Sequence, residues 1–181
     1  LSIACWFNWD GTNTGGGQMA VCLSDASDSA LRFSLSWNTN EIRVTAHTGA
    51  SGGNAIISTV PPTDEWHPAI ATFTSDSRRD AYYRGGTASG TTTRAVPAGI
   101  DTLAIGGRVN STAQSFASGK IAHVAIWDRV LSADEIAGIE AGYSPLFFLN
   151  GLKFYSELDA SLDALVNEKF TLTNNASATK V

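Results

Sequence analysis

The sequence predicts an all-β chain: a two-sheet antiparallel sandwich with one short helix late in the chain. Three observations predict it. Stretches such as ALRFSLSW (30–37) and EIRVTAHT (41–48) alternate apolar and polar residues with the period of two that a half-buried strand requires. Gly, Ser and Thr are abundant and Lys is scarce, which suits many short strands joined by polar turns. The stretch SADEIAGIEAG (132–142) carries the start and stop signals of a helix. At 181 residues with 43% hydrophobic content, the chain can build one sizeable core as a single unit.

In chain order, residues 1–9 and 18–24 read as a hairpin around a Gly-rich loop, TNTGGG within 10–17. That pairing sets Cys5 opposite Cys22, close enough for a disulfide in a non-hydrogen-bonded pair, or leaves two small buried thiols. Residues 30–37 point Leu31, Phe33, Leu35 and Trp37 inward, and 41–48 return with Ile42, Val44 and Ala46 inward. A Gly-rich turn at 50–53 leads to a strand at 55–60, which Pro61-Pro62 stops by removing backbone donors. Residues 66–74 form the next strand, and 80–84 with 91–96 read as a hairpin around Gly85-Gly86.

The chain is organised around 116–142. Residues 120–127 place Ile121, His123, Ala125 and Trp127 on one face and Ala122, Val124 and Ile126 on the other. Both faces are apolar, which predicts a strand covered on both sides. Ser132 and Glu135 form a capping box for a helix over 132–141, with Leu131 and Ile136 as a hydrophobic staple and Gly142 at the exit.

Four stretches in order resemble laminin-G-like domains of the concanavalin A-like lectin/glucanase superfamily. They are LSIACWFNWDG (1–11), EWHPAIATFT (65–74), DTLAIGGR (101–108) and GKIAHVAIWDRVLSADEI (119–136). The resemblance implies a concanavalin A-like jelly roll over 1–142. The remainder, 143–181, contains GLKFYSELD and NEKFTLTNNAS, which resemble the opening of such a domain. Either the sandwich is circularly permuted or a second repeat begins there. In both cases 143–181 is expected to supply strands that complete the sandwich or dock on a neighbour. The tail is also similar to those of bacteriophage and prophage proteins carrying this domain, which implies a virion surface or extracellular setting.

Enzymatic chemistry is not expected. Hydrolases of the superfamily carry carboxylates alternating along a strand, as ExDxE, because glycoside hydrolysis needs two carboxylates about 5–9.5 Å apart. No such run exists; Asp64-Glu65 and Glu157/Asp159 read as solvated turn residues. His47, His67 and His123 lie in separate strands without metal-ligand spacing. Many laminin-G-like domains bind Ca2+ between loops, and Asp25 and Asp28 are the paired loop acids that would supply oxygens, unless they serve only their own turn. No other cofactor is implied. A net charge of −5 without a basic cluster argues against nucleic acid, and no apolar run approaches the roughly 18 residues of a membrane span. No signal peptide is visible and the sequence begins at Leu1, which leaves secretion open.

Two functions follow. One is a non-catalytic structural module, a phage-type capsid decoration or tail-associated protein that contacts other subunits. The other is a carbohydrate-binding module for surface glycans. Sugar binding would use exposed aromatics, for which Trp9, Trp37, Tyr82 and Tyr83 are the candidates, whereas Trp66 and Trp127 read as core.

Overall fold

A computed structural model describes residues 1–12, 17–28, 30–49, 51–110, 112–158 and 166–167. The strands are β1 (Ser2–Asn8), β2 (Gln18–Ser24), β3 (Arg32–Asn38), β4 (Glu41–Thr48), β5 (Ser51–Ser58), β6 (His67–Ser75) and β7 (Arg78–Tyr83). They continue with β8 (Gly86–Gly90), β9 (Thr102–Ile105), β10 (Arg108–Asn110), β11 (Thr112–Gln114) and β12 (Lys120–Trp127). The helix α1 (Ala133–Glu140) follows, then β13 (Leu152–Ser156) and β14 (Val166–Asn167). One sheet runs β14-β13-β12-β1-β6-β7-β8 and the other β5-β4-β3-β2-β9, with β10-β11 as a separate ribbon. The chain is thus the all-β, two-sheet antiparallel jelly-roll sandwich with one short helix that the sequence predicts.

The core between the sheets is aromatic. Phe7 of the larger sheet stacks on Trp37 of the smaller at 4.7 Å and lies 5.8 Å from Tyr83, while Phe33 meets Phe73 edge-on at 4.7 Å. A second cluster covers the outer face of the larger sheet. Ala4, Ile70, Ala125, Trp127 and Tyr155 lie beneath Leu131 and the helical Ile136 and Ile139. The predicted double coverage of β12 therefore holds: Val124 and Ile126 face the inter-sheet core, Ala125 and Trp127 the helix.

The phase of β12 differs from simple alternation. Ala4 pairs with Ala125 but Trp6 pairs with Ala122, so one extra residue of β12 is inserted opposite Cys5. His123 sits at this bulge with φ of 50°. Downstream of it the alternation is as expected. Upstream it reverses: Ile121 packs on the inter-sheet core, and Ala122 turns outward. A bulge of this kind re-aims side chains without interrupting a strand.

Three local expectations are corrected. β1 and β2 are not a hairpin: β1 lies between β12 and β6, and β2 between β3 and β9. The connection crosses from one sheet to the other, so Cys5 faces the inter-sheet core while Cys22 lies on the outside of the smaller sheet. Both are free and buried, and burial pushes the thiols up to about 12 and about 11 respectively. Part of the Gly-rich loop, 13–16, lies outside the described residues. Secondly, β7 is paired by β8 at 86–90, not by 91–96. Arg84 and Gly85 both have positive φ, 51° and 73°, and such a two-residue turn starts the return strand at once. Thirdly, Trp66 is exposed, as described below.

A buried arginine closes one end of the sandwich. Arg79 is inaccessible to solvent, and its Nη2 donates to the carbonyls of Asp76 at 2.9 Å and Thr92 at 2.8 Å. A Cβ on Gly53 would overlap this guanidinium, so glycine there is a matter of space.

The helix begins as expected. Ser132 caps it and Glu135 completes the capping box, while Gly142 leaves it with φ of 94°. Glu135 also receives both Nη groups of Arg129, at 2.5 and 2.7 Å, and this pairing, chiefly, lowers its carboxyl to about 2. A depressed carboxylate contributes stability above its unfolded pKa that is lost as pH falls through the folded value. Glu135→Gln is expected to cost about 1–2 kcal/mol at pH 7, allowing for partial solvent screening. Urea midpoints across pH 2–7 check this: the gap between the proteins narrows from about pH 4.5 towards pH 2.

β13 pairs antiparallel with β12, setting Ile126 opposite Phe154 and Ala125 opposite Tyr155. Of the stretch NEKFTLTNNAS, everything after Asn167 lies outside the described residues.

Candidate functional site

The outward face of the smaller sheet is polar, although its strands are half apolar. Alternation sends Phe33, Leu35, Trp37, Ile42 and Val44 into the core. It therefore sends Arg32, Ser34 and Ser36 of β3 and Arg43, Thr45 and His47 of β4 outward. The register sets Arg32 beside His47, Ser34 beside Thr45 and Ser36 beside Arg43. Asn54 of β5 extends the middle row, where Thr45 Oγ1 donates to Asn54 Oδ1 at 2.9 Å.

The ribbon β10–β11 rises against this face. Ser24 Oγ donates to the carbonyl of Val109 at 3.2 Å, which anchors the ribbon beside β2 and brings in Arg108. Arg32 and Arg108 are near enough to act on one another and on the Cys22 thiol; burial first, and Arg108 second, lower the Arg32 guanidinium from its usual range. Arg43 is held by Glu41 at 2.5 Å through Nη2. Ser34 is fully buried in the floor, and its Oγ has no hydrogen-bond partner among the described residues. The Nε atoms of Arg43 and Arg108 are likewise buried without one. The guanidiniums of Arg32 and Arg108 thus approach one another on one face of a chain whose net charge is −5, with Arg43 further along the same face. Such a face is chemically suited to a carboxylate with hydroxyls around it, because guanidinium forks bind carboxylates bidentately.

The aromatic residues expected to bind sugar lie elsewhere. Trp37 and Tyr83 are buried in the inter-sheet stack, and Trp9 is buried with its Nε1 donating to the Thr12 carbonyl at 3.0 Å. Their position in the inward phase of their strands, or at a strand end tucked under a loop, removes them from any exposed surface. Tyr82 is half-buried against the cluster beneath α1. The structure does not bring these four together as a binding row.

Asp25 and Asp28 fold their own loop. Asp25 Oδ1 accepts from the Ser27 amide and hydroxyl at 2.8 and 2.7 Å, and these bonds hold the carboxyl below its usual range. Asp28 Oδ1 accepts from the Ala30 amide at 2.8 Å. Among the described residues no group of three or more His, Cys, Asp or Glu comes together to hold a metal. Glu65 pairs with His67 at 3.3 Å, and Glu157 accepts from Tyr155 at 3.4 Å; Asp159 lies outside the described residues.

The arginine face was not singled out from sequence. Its signal is present, since Arg32 and Arg43 occupy the polar phase of two adjacent strands. What was missing is the ribbon that delivers Arg108 to Arg32.

Two antiparallel sheets packed face to face, with one short helix after the last main strand, define a jelly-roll β-sandwich. Residues 1–137 match the Laminin_G_3 family of the concanavalin A-like lectin/glucanases superfamily, and the chain belongs to that family. No curated protein matches it in sequence. Among solved structures it is similar to the CBM40 module of the Ruminococcus gnavus IT-sialidase bound to α2,3-sialyllactose. That match has a TM-score of 0.63 and 12% identity, covering 77% of this chain and 81% of that one. The leech intramolecular trans-sialidase gives a TM-score of 0.65 at 11% identity, covering 79% of this chain and 23% of the enzyme. Domains LG4-5 of the mouse laminin α1 chain give 0.51 at 15% identity, covering 68% and 34%. At these identities the likeness is one of fold. No helix among the described residues is long and apolar enough to cross a membrane.

Proposed function

We propose that this domain is a non-catalytic, extracellular carbohydrate-binding module whose ligand carries a carboxylate. The observation that carries the reading is the approach of Arg32 and Arg108 to one another on the polar outer face of the smaller sheet, where the ribbon docks through Ser24. The fold shared with a sialidase CBM40 module bound to sialyllactose supports it. In this reading Arg108, with Arg32 beside it, receives the carboxylate, while Thr45 and Asn54 bond hydroxyls. Calorimetric titration with α2,3-sialyllactose and with lactose tests it. Sialyllactose is expected to bind and lactose to bind at least tenfold more weakly, with affinity falling as salt is raised. Arg108→Ala is expected to weaken sialyllactose about 10- to 100-fold, the effect of losing a charge-assisted hydrogen bond of about 1.5–3 kcal/mol. Equal binding of the two sugars, or none, would sink the carboxylate reading.

A second reading is favoured by one observation. Tyr143, Phe147 and Leu149, just after α1, are 60%, 76% and 64% exposed, an apolar run that suits contact with other subunits of an assembly. The similarity of the tail to phage structural proteins makes a virion surface the setting for that role. Light scattering at rising concentration separates the two readings: a domain that stays monomeric while binding sialyllactose acts through its arginine face.

A further inference from the structure

We propose that a cleft on the outer face of the larger sheet, lined by Trp6, Trp66, Ala122, His123, Gly142 and Ser144, binds one uncharged pyranose ring. It is a second site, on the opposite side of the sandwich from the arginine face, and does not depend on that face binding anything. The cleft encloses about 410 Å3, within the range of small-molecule sites.

The cleft is built at the β12 bulge. Without the inserted residue, His123 would follow the inward phase set by Ile121. With it, Ala122 and His123 both border the cleft beside Trp6, whose ring meets the imidazole edge-on at 5.5 Å. The φ of 50° at His123 is a conformation that a residue with a Cβ adopts at some energetic cost, and such outliers gather at binding sites. Trp66 is 46% exposed although it stands directly before β6, so its indole is available from solvent.

The hydrogen bonds assign a role to each imidazole nitrogen. The Tyr155 hydroxyl donates to Glu157 Oε1 at 3.4 Å and lies 2.8 Å from His123 Nδ1. Nδ1 is thereby engaged by the Tyr155 hydroxyl, as donor or acceptor according to the tautomer. Nε2 has no hydrogen-bond partner among the described residues and can donate to or accept from a sugar hydroxyl. The lining thus combines two indoles, one imidazole nitrogen and the Ser144 hydroxyl, and among the described residues it holds no carboxylate or guanidinium. A pyranose presents an apolar C–H face to an indole and hydroxyls at its edge. The absence of formal charge in the lining selects an uncharged sugar over the acidic one proposed above.

The test titrates the intact chain with the methyl glycosides of glucose, galactose, mannose and N-acetylglucosamine, following indole and imidazole NMR signals. At least one glycoside is expected to shift the Trp6, Trp66 and His123 resonances saturably. Trp66→Ala is expected to weaken that glycoside at least tenfold without loss of folding, because its ring is already half in solvent. His123→Gly, which accepts positive φ freely while removing the ring, should weaken it similarly. Arg108→Ala should leave it unchanged, which keeps this site's failure distinct from failure of the arginine face. No saturable shift with any of the four, or unchanged affinity in Trp66→Ala, would overturn the proposal.

Discussion

A chain ending at Gly142 is expected to lose cooperative folding. The cut removes β13, whose Phe154 and Tyr155 are completely buried and whose Leu152 is nearly so. Phe154 fills the inter-sheet core and Tyr155 the cluster beneath the helix, so one strand feeds both hydrophobic layers. Burial of each large side chain contributes about 1.5–3 kcal/mol, and three together rival the whole stability of a typical domain, about 5–15 kcal/mol. The cut also turns β12 into an open edge with unpaired backbone groups, a template for aggregation. Urea unfolding and amide dispersion in NMR spectra check this. A truncated protein that unfolds cooperatively at the parent midpoint would show that β13 is an accessory strand.

Trp127→Ala is the point substitution expected to cost most, about 3–5 kcal/mol. Trp127 is fully buried between β12 and α1, among Ala4, Ile70, Leu131, Ile136 and Ile139. Its Nε1 donates to the Phe148 carbonyl at 2.7 Å, which ties the segment after the helix back to the sheet. Alanine leaves a large cavity and an orphaned carbonyl, and two elements would loosen together. Trp127→Phe separates the two terms: it keeps most of the packing and loses the hydrogen bond, so it should fall well short of the alanine cost. Thermal or urea denaturation of both variants gives the comparison; a cost below 1 kcal/mol for alanine would contradict the burial.

Much of the fold was legible because the signals were local. The capping box at Ser132 and Glu135, the inward phases of β3 and β4 and the apolar faces of β12 depend only on near neighbours in sequence. Four family-like stretches in order then specified the sandwich. The errors lie where local signals were equivocal. Alternation around Cys5 and Cys22 marks two strands without saying whether the loop between them turns within one sheet or crosses to the other. Aromatic residues near strand ends do not declare which face is core, so Tyr83 was misplaced as a surface residue and Trp66 as core, and Trp37, inward by its own alternation, was still taken as a sugar-binding candidate.

The candidate sites show the same division. The sequence by itself determined which strands carry arginine on their polar phase and that a carboxylate pair of the hydrolase kind is missing. It took the tertiary fold to bring Arg108 to Arg32, because a separate ribbon, 76 positions beyond Arg32 in the chain, docks on that sheet through Ser24. Only the tertiary structure placed Ala122 and His123 together outside the core, because the bulge arises from the register between β1 and β12 and from no signal within β12. Side-chain phase is encoded by period-two alternation along a strand. Which strands become neighbours, and in what register, depends on packing among segments distant in sequence.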